Sequence, residues 1–374
     1  MAKLDARPGE SMGFHCYPVI SDESTLGDPE AVIWSSIRHL SSYGVGYAIA
    51  GSRHGLRSKR DRQAAANNVK LYIRQAAEFY EVARAAKANT APLIYYYSFL
   101  NLAKALCEFR MPRLHERSES YRHGLSWTPS GKFLVNLHSE QVNVSSRGVW
   151  HLLWEALMGA RCHLANPTKL RLSELFSYCP EITVECEMVF PNQHNLIELD
   201  DPDILFKTST REAWLRFSMN SDDLKLSKVS ANNVVRSMET SRSPYTEVRP
   251  SKPGFRTFES KVPVKVRPRQ FILEALQPDI AAWNVFTTID EGKLNYLIPV
   301  LKRIPIPLPQ ISILYTILFW LGSLVRYDPH SVADLMDSPS WTLIDGFMSQ
   351  SRLWLLERME WALYGTETTL RSGR

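Results

Sequence analysis

The stretch Lys70–Ala86, KLYIRQAAEFYEVARAA, is followed after four residues by Ala91–Leu106, APLIYYYSFLNLAKAL. The first segment is rich in good helix formers and repeats apolar residues at helical spacing, which predicts a helix over 61–88. Asn-Thr-Ala-Pro at 89–92 ends that helix and begins a second, almost wholly apolar one, which runs to about Arg110. Two helices joined by so short a link are expected to form an antiparallel hairpin.

Helical patterns also occur on both sides of this hairpin. Asp28, Pro29 and Glu30 provide an N-cap, a first-turn proline and an acidic first turn, which together predict a helix over 31–41. The glycine-rich and then basic residues 44–60 predict a loop. Further helical spacing occurs toward the end of the chain and in one central segment, and it predicts helices over 150–164, 291–302, 310–326, 330–337 and 341–364.

The most apolar segment of the chain is 311–325, ISILYTILFWLGSLV, and it has 15 residues. A helix that spans a bilayer needs about 20 apolar residues. We therefore expect a buried core helix here, and no association with a membrane.

Patterns typical of β-structure occupy the middle of the chain. Alternation with period two over 132–144, KFLVNLHSEQVNV, predicts a hairpin, and 181–190, EITVECEMVF, predicts a strand. Shorter β-like runs follow, separated by Ser, Asn and Pro, and mobile loops are expected near 219–255. The short predicted strands are 204–207, 213–218 and 261–266.

These patterns predict an α+β fold that is predominantly helical. The N-terminal and C-terminal helical segments are expected to form one helical bundle, into which a β-rich region is inserted. The corresponding division of the sequence is 1–128 for the first helical part, 129–270 for the insert and 271–374 for the last helices.

Composition excludes several classes of protein. The chain has 44 Lys and Arg against 39 Asp and Glu, a formal net charge of +5, and 44% hydrophobic residues, which is ordinary globular composition. Its five cysteines have no C-x-x-C spacing, so we expect reduced thiols in a cytoplasmic protein. No phosphate-binding glycine loop, dinucleotide fingerprint or zinc motif occurs in the sequence, and we therefore expect no cofactor and no metal.

Several of these segments occur together in a known family. The two helices from 70 onward, followed by His123–Leu125, and the late segment Leu321–Pro329, LGSLVRYDP, resemble the YaaC-like family of bacterial proteins. The match is strongest over about 70–125 and 310–364, and the β-rich middle of the chain matches only in outline. This resemblance implies a fold and no reaction mechanism. The helical part also resembles, more distantly, the HEPN class of bundles that handle nucleotides or RNA.

The HEPN resemblance draws attention to Arg326 and His330. HEPN ribonucleases carry an Arg and a His close together near a late helix, where the His moves a proton and the Arg holds the phosphate. Here three residues separate the two side chains. The alternative is structural, because Asp328 and Pro329 read as the start of a new helix. In that case Arg326 ends the preceding helix and pairs with Asp328, and His330 lies in a first turn.

A second candidate lies on the apolar helix, where Tyr97, Asn101 and Lys104 share one face. An amide and an ammonium group in such apolar surroundings need partners. Two interpretations remain open. The side chains hold an anion or a base edge in a cleft, or Asn101 forms a hydrogen bond within the helical core.

Basic side chains occur in further clusters. Arg122 and His123 are a candidate phosphate grip, although a solvated loop is the alternative. Two other clusters have the charge pattern of a nucleic-acid surface, and a solvated face is again the alternative. The candidate nucleic-acid-binding residues are Arg53, Arg57, Lys59, Arg60, Arg62, Lys265, Arg267 and Arg269.

Two functional hypotheses follow. The first is a protein that binds or acts on RNA or DNA, in its catalytic form a metal-independent ribonuclease in stress or phage defence. The second is a non-catalytic helical scaffold that binds a protein partner or a second copy of itself, favoured by tryptophans on the last helices. A third class is a small-molecule or nucleotide binder that uses the Asn101 and Lys104 face, and it is tested by thermal shift with nucleotides.

Overall fold

A computed structural model gives the fold of the chain. It describes residues 4–12, 28–116, 122–128, 136–159, 161–164, 168–240, 243–250, 252–267, 272, 275–276, 279–280, 283–290, 293–300 and 306–365.

Helices are the larger part of the secondary structure. They are α1 Pro29–His39, α2 Tyr43–Ser52, α3 Lys59–Ala85, α4 Ala91–Arg110, α5 Val149–Met158, α6 Leu172–Phe176, α7 Thr183–Val189, α8 Ser221–Leu226, α9 Ala231–Met238, α10 Gln310–Tyr327, α11 Pro329–Met336, α12 Trp341–Gly346 and α13 Arg352–Tyr364. Short 3₁₀ turns occur at Leu114–Glu116 and Pro180–Ile182, and a π-helical turn at Phe347–Ser351 connects α12 to α13.

Antiparallel strands supply the β-structure. They are β1 Glu10–Ser11, β2 Leu125–Ser126, β3 Gln141–Val144, β4 Thr168–Arg171, β5 Leu196–Lys207, β6 Glu212–Asn220, β7 Tyr245–Val248, β8 Phe255–Ser260, β9 Val264–Lys265, β10 Phe286–Asp290 and β11 Lys293–Pro299. The fold is therefore α+β with a helical majority, as the sequence predicts.

The chain forms two compact units. The sheet unit comprises Met1–Ser21, Asn192–Arg303 and Glu367–Arg374, and the helical unit comprises Asp22–Pro191 and Ile304–Thr366. Early and late parts of the sequence thus share the helical unit. The division of the sequence at residues 128 and 270 stays a prediction.

The sheet unit is built on strands in the order β10-β11-β5-β6-β8-β7, with β1 paired to β5 and β9 paired to β6. Alternate residues of β6, among them Leu215, Phe217 and Met219, are buried in its apolar core. Trp283 packs edge-on against Phe217 in the same core.

The predicted helical hairpin is confirmed as α3 and α4. The Ser58 hydroxyl caps α3 by accepting a hydrogen bond from the Asp61 N–H. Its buried residues, including Val69, Ile73 and Tyr80, recur at helical spacing and pack against α4. Helix α4 also packs against α5, α10 and α13, so few of its side chains reach solvent.

Helix α10 is the buried core helix expected from 311–325. Fifteen of its residues, from Gln310 to Leu324, are buried. Among the residues that the structure describes, no helix is long and apolar enough to cross a membrane.

The prediction of a loop over 44–60 is wrong for its first half, which forms α2. Glycine lowers intrinsic helix propensity, but here it allows close packing. A Cβ at Gly46 would lie 3.6 Å from the Ala66 Cβ, so α2 lies almost in backbone contact with α3. Tertiary packing therefore outweighs the cost of the glycines.

The strand predicted over 181–190 is also wrong. This segment forms a 3₁₀ turn and α7. Ile182, Cys186 and Phe190 are buried, whereas Val184 and Met188 are exposed. A segment with an apolar residue at every second position also has one at every fourth position, so its pattern fits both a strand and a helix. The buried residues here are four positions apart, which is the spacing of a helix.

Two further predictions are corrected in the sheet unit. The segment 219–255, expected to be mobile loops, contains α8, α9 and β7, and the side chains of Asn220 and Ser230 cap the two helices. The helix predicted over 291–302 is instead β11, which pairs with β5 and β10. Tyr296 and Ile298 alternate with less buried neighbours, the pattern of a strand.

Within the hairpin predicted over 132–144, residues 141–144 form the strand β3. Residues 132–135 lie outside the described residues, and Leu137–Ser139 form a turn. Strand β3 pairs with β2 and β4, its neighbours in a separate small sheet. The predicted strands at 204–207 and 213–218 are confirmed within β5 and β6.

Candidate functional site

A pocket of about 240 Å³ lies in the helical unit between α4, α10 and the segment that begins at Arg122. Aromatic rings come from half of the residues that line it, and none of the described lining residues is acidic. The lining residues are Leu93, Tyr96, Tyr97, His123, Leu125, Ser126, Trp127, Phe319, Gly322, Ser323, Arg326 and Tyr327.

The two helices approach closely at Gly322. A Cβ at this position would lie 3.2 Å from the Tyr96 Cβ and 3.3 Å from the Leu93 Cα, which is tighter than ordinary van der Waals contact. Glycine thus allows the backbone of α10 to approach α4. Both helices are well packed, so the side chains that they contribute to the pocket are held on rigid elements.

Arg326 and Tyr97 meet at this pocket. Arg326 lies in the last turn of α10, and its Nη1 donates a hydrogen bond of 3.1 Å to the Tyr97 hydroxyl. The guanidinium also lies 5.1 Å from the ring centre of Tyr327, within cation–π distance. Among the described residues, no carboxylate lies within ion-pair distance of Arg326. Its charge is therefore available to an anion.

Backbone hydrogen bonds fix the position of His123. The carbonyls of Arg122 and His123 accept bonds from the first N–H groups of α5, on Val149 (2.8 Å) and Trp150 (3.0 Å). These bonds satisfy donors that a helix start leaves unpaired. Gly148, with φ +123°, precedes α5 and lies so close to Gly124 that a Cβ would be 2.4 Å from its N.

His123 is joined to two buried tyrosines. Its Nδ1 lies 2.7 Å from the Tyr96 hydroxyl, which in turn lies 3.3 Å from the Tyr315 hydroxyl. Burial raises the pKa of both tyrosines, so both remain neutral. Burial also lowers the pKa of His123, as do the nearby charges of Lys104 and Arg326. The imidazole is therefore neutral at pH 7 in the pocket without a bound anion.

Lys104 and Asn101 lie behind the pocket. Burial lowers the pKa of Lys104, and its Nζ lies 5.7 Å from the ring centre of Tyr72. Asn101 is buried, and its Nδ2 donates 2.9 Å to the carbonyl of Tyr97 in the same helix. Lys104 thus adds positive charge near His123, while the Asn101 amide is occupied by its own helix.

His330 does not line the pocket. Asp328 caps α11 by accepting from the Ser331 N–H at 3.1 Å and from the Ser331 hydroxyl at 2.7 Å. His330 is exposed in the first turn of that helix. The structure brings Arg326, Tyr97 and His123 together and leaves His330 outside. The role assigned to the Arg326 and His330 pair stays a prediction.

The first basic cluster divides into exposed and structural members. Arg53, Arg57, Lys59 and Arg60 are exposed. Arg62 instead closes the connection between α2 and α3, because its Nε donates 2.6 Å to the Leu56 carbonyl and its Nη2 donates 3.2 Å to the Arg57 carbonyl.

The second basic cluster belongs to the sheet unit. Lys265 and Arg267 are exposed, and Arg269 lies outside the described residues. Arg122, the remaining candidate, is also exposed, and its carbonyl accepts the hydrogen bond from the Val149 N–H.

Sequence reasoning missed the aromatic wall of the pocket. Trp127, Phe319 and Tyr327 were not among the candidates, and Tyr96 was only part of an apolar run. Trp127 is held by its Nε1, which donates 2.6 Å to Glu140. The run of three tyrosines at Tyr95–Tyr97 was the one available indication, because so many hydroxyls on a buried helix need partners.

The arrangement is suited to binding an anion beside an aromatic group. In the described part of the chain, no cluster of His, Cys, Asp or Glu is arranged to hold a metal ion. Arg326 provides a planar set of donors for a phosphate or carboxylate, and the aromatic rings provide stacking surfaces.

Comparison with known proteins gives one match. The model of the family described as YaaC-like protein matches residues 50–360, which include every residue that lines the pocket. Neither the curated proteins nor the solved structures contain a match to this chain.

Proposed function

The chain belongs to the YaaC-like protein family, and we propose that its helical unit binds a planar base that carries a phosphate, presented by RNA, by DNA or by a free nucleotide. The observation that carries the proposal is the meeting of Arg326 and Tyr97 in a pocket that has aromatic walls and, as far as the structure describes the chain, no acidic lining residue. The proposal includes the predicted arrangement of early and late helices as one bundle around this pocket.

The charge of the pocket favours an anion. Among the described lining residues, Arg326 is the one with a permanently charged side chain, and Lys104 adds a second positive charge near His123. A phosphate oxygen next to Arg326 would accept charge-assisted hydrogen bonds, which are about twice as strong as neutral ones.

The walls of the pocket favour a flat aromatic group. Tyr96, Tyr97, Trp127, Phe319 and Tyr327 contribute rings, and the ring centres of Tyr96 and Phe319 lie 5.4 Å apart. Stacking of a base on an aromatic side chain contributes about 1–3 kcal/mol and tolerates any base. Ser126 and Ser323 add hydroxyls that can hydrogen-bond to a base edge.

The size of the pocket limits its occupant. Its volume of about 240 Å³ is below the roughly 300–1,000 Å³ of sites that enclose drug-sized molecules. One base with its phosphate is therefore the unit that this pocket is proposed to hold, and further nucleotides of a strand would lie outside it.

Binding is tested with fluorescently labelled single-stranded RNA and DNA and with free nucleotides, followed by anisotropy and by Trp fluorescence. Arg326→Met should weaken binding at least about tenfold, since a lost charge-assisted bond costs roughly 1.5–3 kcal/mol. Tyr97→Phe should weaken it less, because the arginine remains. His330→Ala is the matched control, a nearby exposed side chain outside the pocket, and it should bind as the unmodified protein does.

The catalytic form of the first hypothesis needs its own measurement. Labelled RNA incubated with the protein in EDTA tests for cleavage without a metal. Cleavage that is lost in both Arg326→Met and His330→Ala would support the predicted pair. Cleavage that persists in His330→Ala would exclude it. If no nucleic acid or nucleotide binds at all, the proposed function is wrong.

The remaining predictions concern partners and setting. Light scattering measures whether the chain self-associates, as the scaffold hypothesis expects. A cytoplasmic location and a role in stress or phage defence stay predictions.

A further inference from the structure

Three basic side chains lie at or near the pocket. Arg326 and His123 line it, and Lys104 lies close enough to His123 to lower the pKa of the imidazole. Among the described residues, no lining side chain is acidic. A phosphate diester carries one negative charge, which Arg326 alone matches. Arg326 and Lys104 together provide more positive charge than such a ligand needs.

The surroundings of His123 make its protonation depend on an anion. The titratable groups around it, among the described residues, are Tyr96 and Lys104 on α4 and Tyr315 and Arg326 on α10. Its backbone carbonyl accepts a hydrogen bond from the Trp150 N–H of α5. The tyrosines are neutral and the other two groups are cations, so no group around His123 stabilises an imidazolium. A dianion bound beside it would.

The hydrogen bond between His123 and Tyr96 is compatible with protonation of the imidazole. With Nδ1 unprotonated, the Tyr96 hydroxyl donates to it over 2.7 Å. The proton on a neutral ring is then on Nε2. On protonation, Nδ1 becomes a donor, and the Tyr96 hydroxyl can accept from it and donate toward Tyr315, 3.3 Å away. Both protonation states therefore have a partner at Nδ1.

We infer that the ligand is a nucleotide with a terminal phosphate monoester, and that His123 becomes protonated when this phosphate binds beside Arg326. This inference rests on the proposed function, because it specifies which nucleotide the pocket takes. A phosphate monoester has a second ionisation near pH 6 and carries close to two negative charges at pH 7. A free nucleoside monophosphate and the phosphorylated end of a single strand share this chemistry.

The pocket volume agrees with a terminal group. A site of about 240 Å³ holds one base with its phosphate. The end of a strand can enter such a site while the other nucleotides remain outside it. The positive charge of the pocket and its small volume therefore both favour a ligand with a terminal phosphate.

Calorimetry of the full chain tests the inference. A nucleoside 5′-monophosphate is titrated at pH 6, 7 and 8 in two buffers that differ in ionisation enthalpy. The heat of binding should differ between the two buffers, and the size of the difference should correspond to an uptake of up to one proton per site. Affinity should fall by about tenfold from pH 6 to pH 8 as His123 becomes harder to protonate. The nucleoside without phosphate should bind at least about tenfold more weakly.

Variants test whether His123 is the group that takes up the proton when the ligand binds. His123→Gln should abolish the proton uptake and reduce the preference for the monophosphate over the nucleoside. Lys104→Met removes a repelling charge, so the pH at which proton uptake is half-maximal should rise. Arg171→Gln is the matched control, since Arg171 is an exposed arginine on β4 of the same unit and does not line the pocket. It should leave both measurements unchanged.

The outcomes separate the inference from the proposed function. If monophosphate and nucleoside bind equally well, or if the heat does not depend on the buffer, the inference is wrong while the pocket still binds nucleotides. If neither compound binds, an oligonucleotide with a terminal phosphate is compared with the same strand without one. Binding of only the phosphorylated strand supports the inference and identifies its source as nucleic acid. Failure of all these ligands refutes the proposed function itself.

Discussion

Two arginines of the helical unit donate to tyrosines only two positions apart on α4, yet their surroundings differ. Arg352 Nη1 donates 2.6 Å to the Tyr95 hydroxyl, and Arg326 Nη1 donates 3.1 Å to the Tyr97 hydroxyl. Arg352 is also paired with the largely buried Glu30 at 2.9 Å. Arg326 has no such carboxylate among the described residues, and it lines a pocket.

The difference separates structural charge from charge available for a ligand. A largely buried arginine that is matched by a carboxylate has its desolvation offset within the fold. An arginine at the rim of a pocket retains water and can exchange that water for an anion. The first arrangement predicts an effect of mutation on stability, and the second predicts an effect on binding.

The largest expected effect is a loss of stability when the carboxylate that pairs with Arg352 is removed. Glu30→Ala should lower the free energy of unfolding by about 3 kcal/mol, because it leaves Arg352 without its carboxylate in largely buried surroundings. Arg84, which lies 3.4 Å from Glu30, loses a partner as well. Arg326→Met should cost less than about 1 kcal/mol, as an exposed charge does. Urea denaturation of both variants makes the comparison, and an equal cost would contradict it.

Two glycines at opposite ends of α5 test how His123 is positioned. Gly148 and Gly159 both have positive φ, but a Cβ at Gly148 would collide with Gly124, whereas nothing lies within 4 Å of one at Gly159. Gly159→Ala should cost about 1 kcal/mol from backbone strain alone. Gly148→Ala should cost about 2–3 kcal/mol and should also weaken ligand binding, because it displaces the segment that holds His123.

Equal losses of stability in the two variants would show that crowding at Gly124 is unimportant. Unchanged ligand affinity in Gly148→Ala would show that the segment tolerates the displacement.

A second histidine provides the structural counterpart to His123. His54 is buried, its Nε2 donates 2.7 Å to the Leu363 carbonyl, and its ring stacks on Phe109 with 4.6 Å between ring centres. Its Nδ1 is buried without a hydrogen bond among the described residues. Burial lowers the pKa of His54 to about 4.

Because the folded pKa of His54 is below its unfolded value, the unfolded chain takes up the proton first as the pH falls. Stability should therefore decline by roughly 3 kcal/mol between about pH 6.5 and 4. In His54→Gln this part of the pH dependence should be absent, as measured by urea denaturation across that range. Identical profiles for the two proteins would contradict the assignment. Ligand affinity at pH 7 should be the same in both.

The sequence predicted the elements of the pocket better than the pocket itself. The α3 and α4 hairpin and the apolar α10 were predicted because long amphipathic or apolar periodicity is a strong local pattern. Tyr97, His123 and Arg326 were also named, but as three separate candidates. Nothing in the sequence joins residue 97 to residue 326, since that contact arises from the packing of α10 on α4.

The errors have the same physical origin. Residues 44–60 look like a loop by composition, and the packing of α2 against α3, which is close at Gly46 and Ala66, offsets the low helix propensity of the glycines. Residues 181–190 fit both a strand and a helix, and burial of Ile182 and Cys186 decides between them. The Asp328 cap starts a new helix and leaves His330 exposed in its first turn, as the structural alternative predicted, while the catalytic role of the Arg326 and His330 pair stays a prediction.

The smallest expected effect on stability concerns Gly322, where α10 crosses α4. Alanine is the better helix former by about 1 kcal/mol, but its Cβ would lie 3.2 Å from the Tyr96 Cβ. The two effects should nearly cancel, so Gly322→Ala should change the free energy of unfolding by less than about 1 kcal/mol. The neighbours must still move by a few tenths of an ångström.

Tyr96 and Arg326 both belong to the elements that meet at Gly322, so ligand affinity should fall by a few-fold while stability stays nearly constant. Gly44→Ala in α2 is the control, because nothing lies within 4 Å of its Cβ and it gains helix propensity without a new contact. A Gly322→Ala variant that binds the ligand as tightly as the Gly44→Ala control would mean that the spacing of α4 and α10 does not shape the pocket. The binding site would then have to be sought elsewhere on the helical unit.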